Sequence, residues 1–135
     1  ELDKKVTQWN KLYNVLNDNL EKQNGIFFPN RDNDEYFVGS SIQFRIDSLN
    51  NEQIKSFINN CKARGVDLKW FGDEKPVAYT SRYDSWKYLD NIPRLANTLR
   101  ILAKTFDMRI PLTFTVQDCN IISKIIIEEL QKVQN

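Results

Sequence analysis

The sequence predicts an α+β domain, a two-layer sandwich in which a small, mostly antiparallel sheet carries helices on one face and is preceded by a long N-terminal helix. Three observations lead there. Apolar residues recur at helical spacing over four stretches and alternate one-in-two over shorter stretches between them. Turn residues separate these stretches at short intervals. No internal repeat and no low-complexity segment interrupts the order. The 135 residues fit one domain, 1–135. About two-thirds of the unfolded surface can be buried at this size, enough for a core without covalent staples.

Residues 2–24 read as an amphipathic helix. Leu2, Val6, Trp9, Tyr13, Leu16 and Leu20 advance by fours and threes along one face, and Gly25 is a natural stop. That face packs on the core, or the stretch 1–25 is a linker-type helix that docks on a further domain or partner. Residues 26–29 form a short apolar edge segment closed by Pro29. Residues 30–34, Asn-Arg-Asp-Asn-Asp, are turn chemistry; without the glycine and distal glutamate of a calcium loop they read as a solvated turn. Residues 36–47 make the best strand, with Ile42, Phe44 and Ile46 alternating with Ser41, Gln43 and Arg45. Ser48 or Asn50 caps the next helix, Ile54, Phe57, Ile58 and Cys61 form its buried face, and Gly65 ends it. Val66, Leu68 and Trp70 alternate in a second strand that stops at Gly72.

Residues 73–90 break the rhythm. Tyr79, Tyr83, Trp86 and Tyr88 are interleaved with Thr80, Ser81, Arg82, Asp84, Ser85 and Lys87, and no single period explains them. Asn91 and Pro93 then open a helix with the stripe Leu95, Leu99, Leu102 and Phe106. Residues 108–114 read as a third strand, with Ile110, Leu112 and Phe114 on one face. Pro111 lacks a ladder donor, which makes this strand short or an edge. Thr115 and Asp118 have capping-box spacing and start the last helix, whose face is Cys119, Ile122, Ile126, Leu130 and Val133.

Composition removes several function classes. Net charge is +1, from 19 Lys+Arg against 18 Asp+Glu, so a general nucleic-acid or membrane-surface binder is not expected. No apolar run approaches the ~20 residues that span a bilayer. Histidine is absent, which removes Ser-His and Cys-His nucleophile pairs and the commonest zinc ligand. Two cysteines, Cys61 and Cys119, cannot fill a four-thiolate site and imply no disulfide framework, so a cytoplasmic location is expected. None of the 4 glycines forms a phosphate-cradling loop. The chain starts at Glu1 and its single Met is Met108, which reads as a processed chain, a piece of a longer one, or one freed from a tag.

The strand 38–47, the helix 50–64, the run Gly65-Val66-Asp67-Leu68-Lys69-Trp70-Phe71 and the ending Asp107-Met108-Arg109-Ile110-Pro111-Leu112-Thr113-Phe114-Thr115 plus helix resemble a known order. They are similar to the C-terminal small domain of a fold type I pyridoxal-phosphate (PLP) aminotransferase, most of all in the nucleotide-sugar aminotransferase group. The similarity covers nearly the whole chain as pattern. It implies a domain that closes over an amino or keto substrate while a large domain of the same polypeptide holds the cofactor, in a homodimeric parent. The imine-forming lysine, the aspartate that pairs with the pyridine nitrogen and the phosphate turn belong to that large domain, and nothing here matches them. The resemblance therefore implies a fragment or relic that holds no cofactor and is inactive alone.

It also implies a role for Arg109, since Arg109-Ile110-Pro111-Leu112 is similar to the strand whose arginine holds the substrate carboxylate in class I aminotransferases. The plainer reading is a strand arginine paired with Asp107 or Asp118. Ser81, Arg82 and Tyr83, with Asp84, are candidate contacts for a polar substrate, with Trp86 as a wall; alternatively these aromatics cover a sheet edge. Lys69 reads as a solvated strand lysine rather than a nucleophile. The competing functional class is a non-catalytic α+β interaction module that uses the first helix and the aromatic loop as its docking surface. Single-strand nucleic-acid stacking on that loop is a weaker variant, given the near-neutral charge.

Overall fold

A computed structural model describes residues 1–75, 84, 88 and 90–135. Its elements are α1 (Leu2–Glu21), β1 (Ser41–Arg45), α2 (Asn51–Ala63), β2 (Lys69–Trp70), α3 (Ala96–Leu102), β3 (Thr105–Arg109) and α4 (Val116–Gln134). The strands form one antiparallel sheet in the order β1-β3-β2, so the last strand inserts between the first two. This is the α+β architecture the patterning predicts.

The register explains the core. Ile42 pairs with Met108, Phe44 with Phe106, and Trp70 with Phe106. These side chains share one face because successive strand residues point to opposite sides. Phe106 stacks on Phe44 at a 5.6 Å centroid distance and meets Phe57 of α2 edge-on at 5.6 Å. Leu16 and Leu20 of α1, Ile54 of α2, and Ile126 and Leu130 of α4 complete the same buried cluster. The short α3 buries no residue and sits at the end of the sheet where β3 begins.

Local chemistry sets the boundaries. Asn50 caps α2 through a reciprocal capping box with Gln53, and Thr115 caps α4 the same way with Asp118. Gly25 and Gly65 adopt positive φ just past α1 and α2, where other residues would be strained. Phe27 bridges to Arg45 at the free edge of β1. That register sets Pro29 opposite Gln43, and proline has no N–H to extend the pairing. From α1, Asn10 donates to the Phe37 carbonyl and accepts from the Gly39 N–H, while Trp9 donates to the Ile110 carbonyl.

Several sequence expectations are corrected. The third strand is Thr105–Arg109, not 108–114, and it is the central strand rather than an edge. Pro111 lies beyond the ladder, whose last bond is Ile110 N–H to the Ser40 carbonyl, so it costs the sheet nothing. Phe106 belongs to this strand and not to the preceding helix. That helix begins at Ala96, past Pro93, and leaves Leu95 exposed. The second strand shrinks to Lys69–Trp70, although Val66, Leu68 and Trp70 are all buried as expected. The first strand keeps Ser41–Arg45 of the 36–47 stretch. The first helix ends at Glu21, with Leu2 exposed and Leu12 buried instead.

A Cβ built on Gly39 would lie 2.5 Å from the Tyr13 Cβ, closer than real side chains approach. Gly39→Ala is expected to destabilise the chain by about 1–3 kcal/mol, the range of core overpacking. Urea unfolding checks this, and an unchanged midpoint would show that α1 and the 37–39 segment are not in close contact.

Candidate functional site

The face of the sheet turned away from the core is set by the same alternation. Across the three strands, Gln43, Asp107 and Lys69 lie in one row. Ser41 pairs with Arg109 above it and Arg45 with Thr105 below. Arg109 and Gln43 are exposed, and Ser41, Arg45, Lys69 and Thr105 are half-buried. Arg45 is engaged: it donates to Asp47 at 2.7 Å and lies over the Phe27 ring at 5.6 Å.

Arg109 therefore sits at the end of the central strand, on the face without core packing. Among the described residues it makes no ion pair. The pairing weighed for it is absent, because Asp118 is committed to Thr115 and Asp107 lies along the strand without reaching it. The bonds its carboxylate accepts from the Thr115 backbone N–H and then the Thr115 hydroxyl hold the Asp118 carboxyl below its usual range. Asp107 is the residue sequence reading missed as a site. It is 7% exposed and no side-chain hydrogen bond or ion pair among the described residues reaches it. A strand drawn from 108 excluded it; the parity that puts Arg109 on the face away from the core puts Asp107 on that face two residues earlier. Ser81, Arg82 and Tyr83, with Tyr79 and Trp86, lie outside the described residues.

A second polar cluster joins α2 to α4. Glu129, buried, accepts from Arg64 and from Lys132, each at 2.7 Å, and Arg64 also holds Glu128 at 2.8 Å. The hydrogen bond from Lys132 and then that from Arg64 keep the Glu129 carboxyl below its ordinary range. Burial pushes the neighbouring Cys61 thiol up to about 12, with Glu129 adding and Arg64 opposing. Burial also raises Cys119. These groups hold the helices together, and neither thiol is poised as a nucleophile.

PLP does not fit the described residues. Each long capped helix already has its N-terminus filled by a side chain, the Asn50 amide oxygen at α2 and the Thr115 hydroxyl at α4, and the Asp118 carboxylate in the first turn of α4 repels a phosphate. Among the described residues no three metal-ligating side chains are grouped to hold an ion. No described helix is long and apolar enough to cross a membrane.

No protein-family model matches the sequence, and no curated protein matches it. Its fold does have a counterpart. The crystal structure of 3-amino-5-hydroxybenzoic acid (AHBA) synthase matches with a TM-score of 0.74 over 97% of this chain, at 13% identity. At that identity the likeness is one of fold. The chain spans 35% of the synthase chain, about a third of its length.

The titrations give two checks. The Glu129 carboxyl is depressed in the fold, so its stabilising contribution is present above the ordinary carboxylate pKa of about 4.3 and is lost as pH falls through the folded value. Melting temperature followed from pH 7 to pH 3 is expected to fall less steeply in Glu129→Gln than in the parent chain. Equal slopes would remove Glu129 from the account. Both thiols are expected to resist alkylation at pH 8 in the folded chain and to react once it is unfolded in urea; native-state modification of Cys61 contradicts its burial.

Proposed function

We propose that this chain is the C-terminal small domain of a PLP-dependent aminotransferase and closes over an amino or keto substrate while a larger domain carries the cofactor. The observation that carries the reading is the fold likeness, which takes in nearly all of this chain and only a third of a much longer PLP enzyme. The element order read from the sequence leads to the same family independently. In the assembled enzyme PLP would supply the electron sink, from residues beyond those described here.

The chain's own part is positioning. Arg109, exposed at the strand end, offers two parallel N–H donors to a substrate carboxylate, which fixes orientation as well as charge. Ser81, Arg82 and Tyr83 are proposed as polar contacts on the same substrate. The parent is proposed to be a homodimer of the nucleotide-sugar aminotransferase type.

Two measurements test this. Titration of the 135-residue chain with PLP, followed by absorbance, is expected to give no stable lysine imine band. The parent polypeptide, expressed from the coding sequence that contains Glu1, is expected to give one. In that enzyme Arg109→Gln is expected to raise KM for a carboxylate substrate about 10- to 100-fold, with a smaller change in kcat, the pattern of lost binding to an anchored group. A coding sequence with no large α/β domain and no imine-forming lysine would sink the reading.

A further inference from the structure

We propose that Asn24 is a spontaneous modification site: it converts through a cyclic imide to aspartate and isoaspartate, and the isoaspartate loosens the junction between α1 and the sheet. Asparagine is among the chemically labile side chains, and what decides its lifetime is the next backbone nitrogen. Asn24 alone among the asparagines of this chain is followed by glycine. Glycine has no Cβ to shield that nitrogen or to limit its approach. The fold itself demands the glycine. The Ile26 N–H to Gln23 carbonyl bond, 3.3 Å, closes a tight turn with Asn24 and Gly25 at its centre, and Gly25 takes φ +93° there.

The reacting groups are free to meet. Asn24 is exposed, and among the described residues neither its side-chain amide nor the Gly25 N–H has a hydrogen-bond partner. Other asparagines are tied down: Asn10 holds Phe37 and Gly39, Asn19 holds Asn120, and Asn50 caps α2. Gln23, itself bonded to Gln131 of α4, donates to the Asn24 carbonyl at 3.3 Å. That bond draws electron density from the peptide and makes the Gly25 N–H easier to deprotonate. The Gly25 nitrogen then bonds to the Asn24 Cγ, the Cγ–N bond breaks, and ammonia leaves with the Gly25 proton. Water opens the imide at Cγ to give aspartate, or at the main-chain carbonyl to give isoaspartate. In the second product the main chain runs through Cβ and is one carbon longer. Little slack exists downstream to absorb it, because Ile26 is buried and Phe27 exchanges both backbone bonds with Arg45, at 2.9 and 2.8 Å.

The test ages the 135-residue chain at mildly alkaline pH, folded and in urea, and maps its peptides by mass spectrometry. The peptide holding residue 24 is expected to gain the mass of oxygen exchanged for NH and to split into two chromatographic products. In the folded chain its conversion is expected to run about tenfold faster than at any asparagine followed by a residue with a Cβ. Asn24→Gln, whose amide stands one methylene further out, is expected to show no gain at that position. Conversion that proceeds in urea and stops in the folded chain overturns the proposal, as does a folded chain in which another asparagine reacts first. The isoaspartate-enriched fraction is expected to melt several degrees below the fresh chain. Asn24→Asp, with the same charge and no added backbone atom, is expected to melt close to it. Equal melting of that fraction and Asn24→Asp overturns the loosening of the junction.

Discussion

Phe106 is clamped between Phe44 and Phe57, with Trp70 opposite it across the sheet, and this contact locks the strand that carries it. Because strand side chains alternate, burying Phe106, Met108 and Ile110 commits Thr105, Asp107 and Arg109 to the other face. A slip of one residue would place a carboxylate and a guanidinium among phenylalanines. The energetic penalty of that arrangement makes the register the most strongly specified feature of the fold. Each later element depends on it: α2 is seated by Phe57, α1 by its bonds to the segment beyond β3, and α4 by the cluster those two enclose.

How far the sequence reveals this depends on where the pattern is local. The helices are legible because each carries its own stop or start. Asn50 and Thr115 cap their own helices, and Gly25 and Gly65 take the positive φ that ends them. The central strand is less legible. Its first apolar residue, Phe106, follows Leu99 and Leu102 at a spacing that also fits a helical stripe, and only Met108 and Ile110 beyond it alternate as a strand. What ends α3 before Phe106 is tertiary: the Ala103 carbonyl takes the Trp70 indole N–H and the Thr105 carbonyl takes the Phe71 N–H. Nothing within residues 96–106 announces either bond. A strand's position between two others is likewise set by partners remote in sequence, so Pro111 was a poor guide to edge or centre.

The candidate site follows the same division. The face on which Arg109 lies could be read from alternation, and the structure puts it on the face away from the core. Its freedom from Asp107 and Asp118 could not, because the engagement of Asp118 is a capping geometry and the position of Asp107 depends on strand boundaries. Asp107 itself carries no sequence signal as a single acidic residue beside Phe106 and Met108. Only the register, which sets it between Gln43 and Lys69, makes it conspicuous.

An antiparallel sheet with one face toward water is ordinary, and polar residues on such a face need no partner. Most of this face obeys that rule: Gln43 and Arg109 are exposed, and Arg45 satisfies Asp47. Two features depart from it. Asp107 is 7% exposed with no described side-chain partner, and Phe27 and Ile101 are large apolar side chains left facing water. Both departures lie on one side of the sheet, with Gln43 and Thr105 joining them. The helical side shows the reverse: its buried carboxylate, Glu129, has two cations. The contrast between a carboxylate held by two cations on the helical side and one with no described side-chain partner on the central strand marks how differently the two faces of the sheet are built.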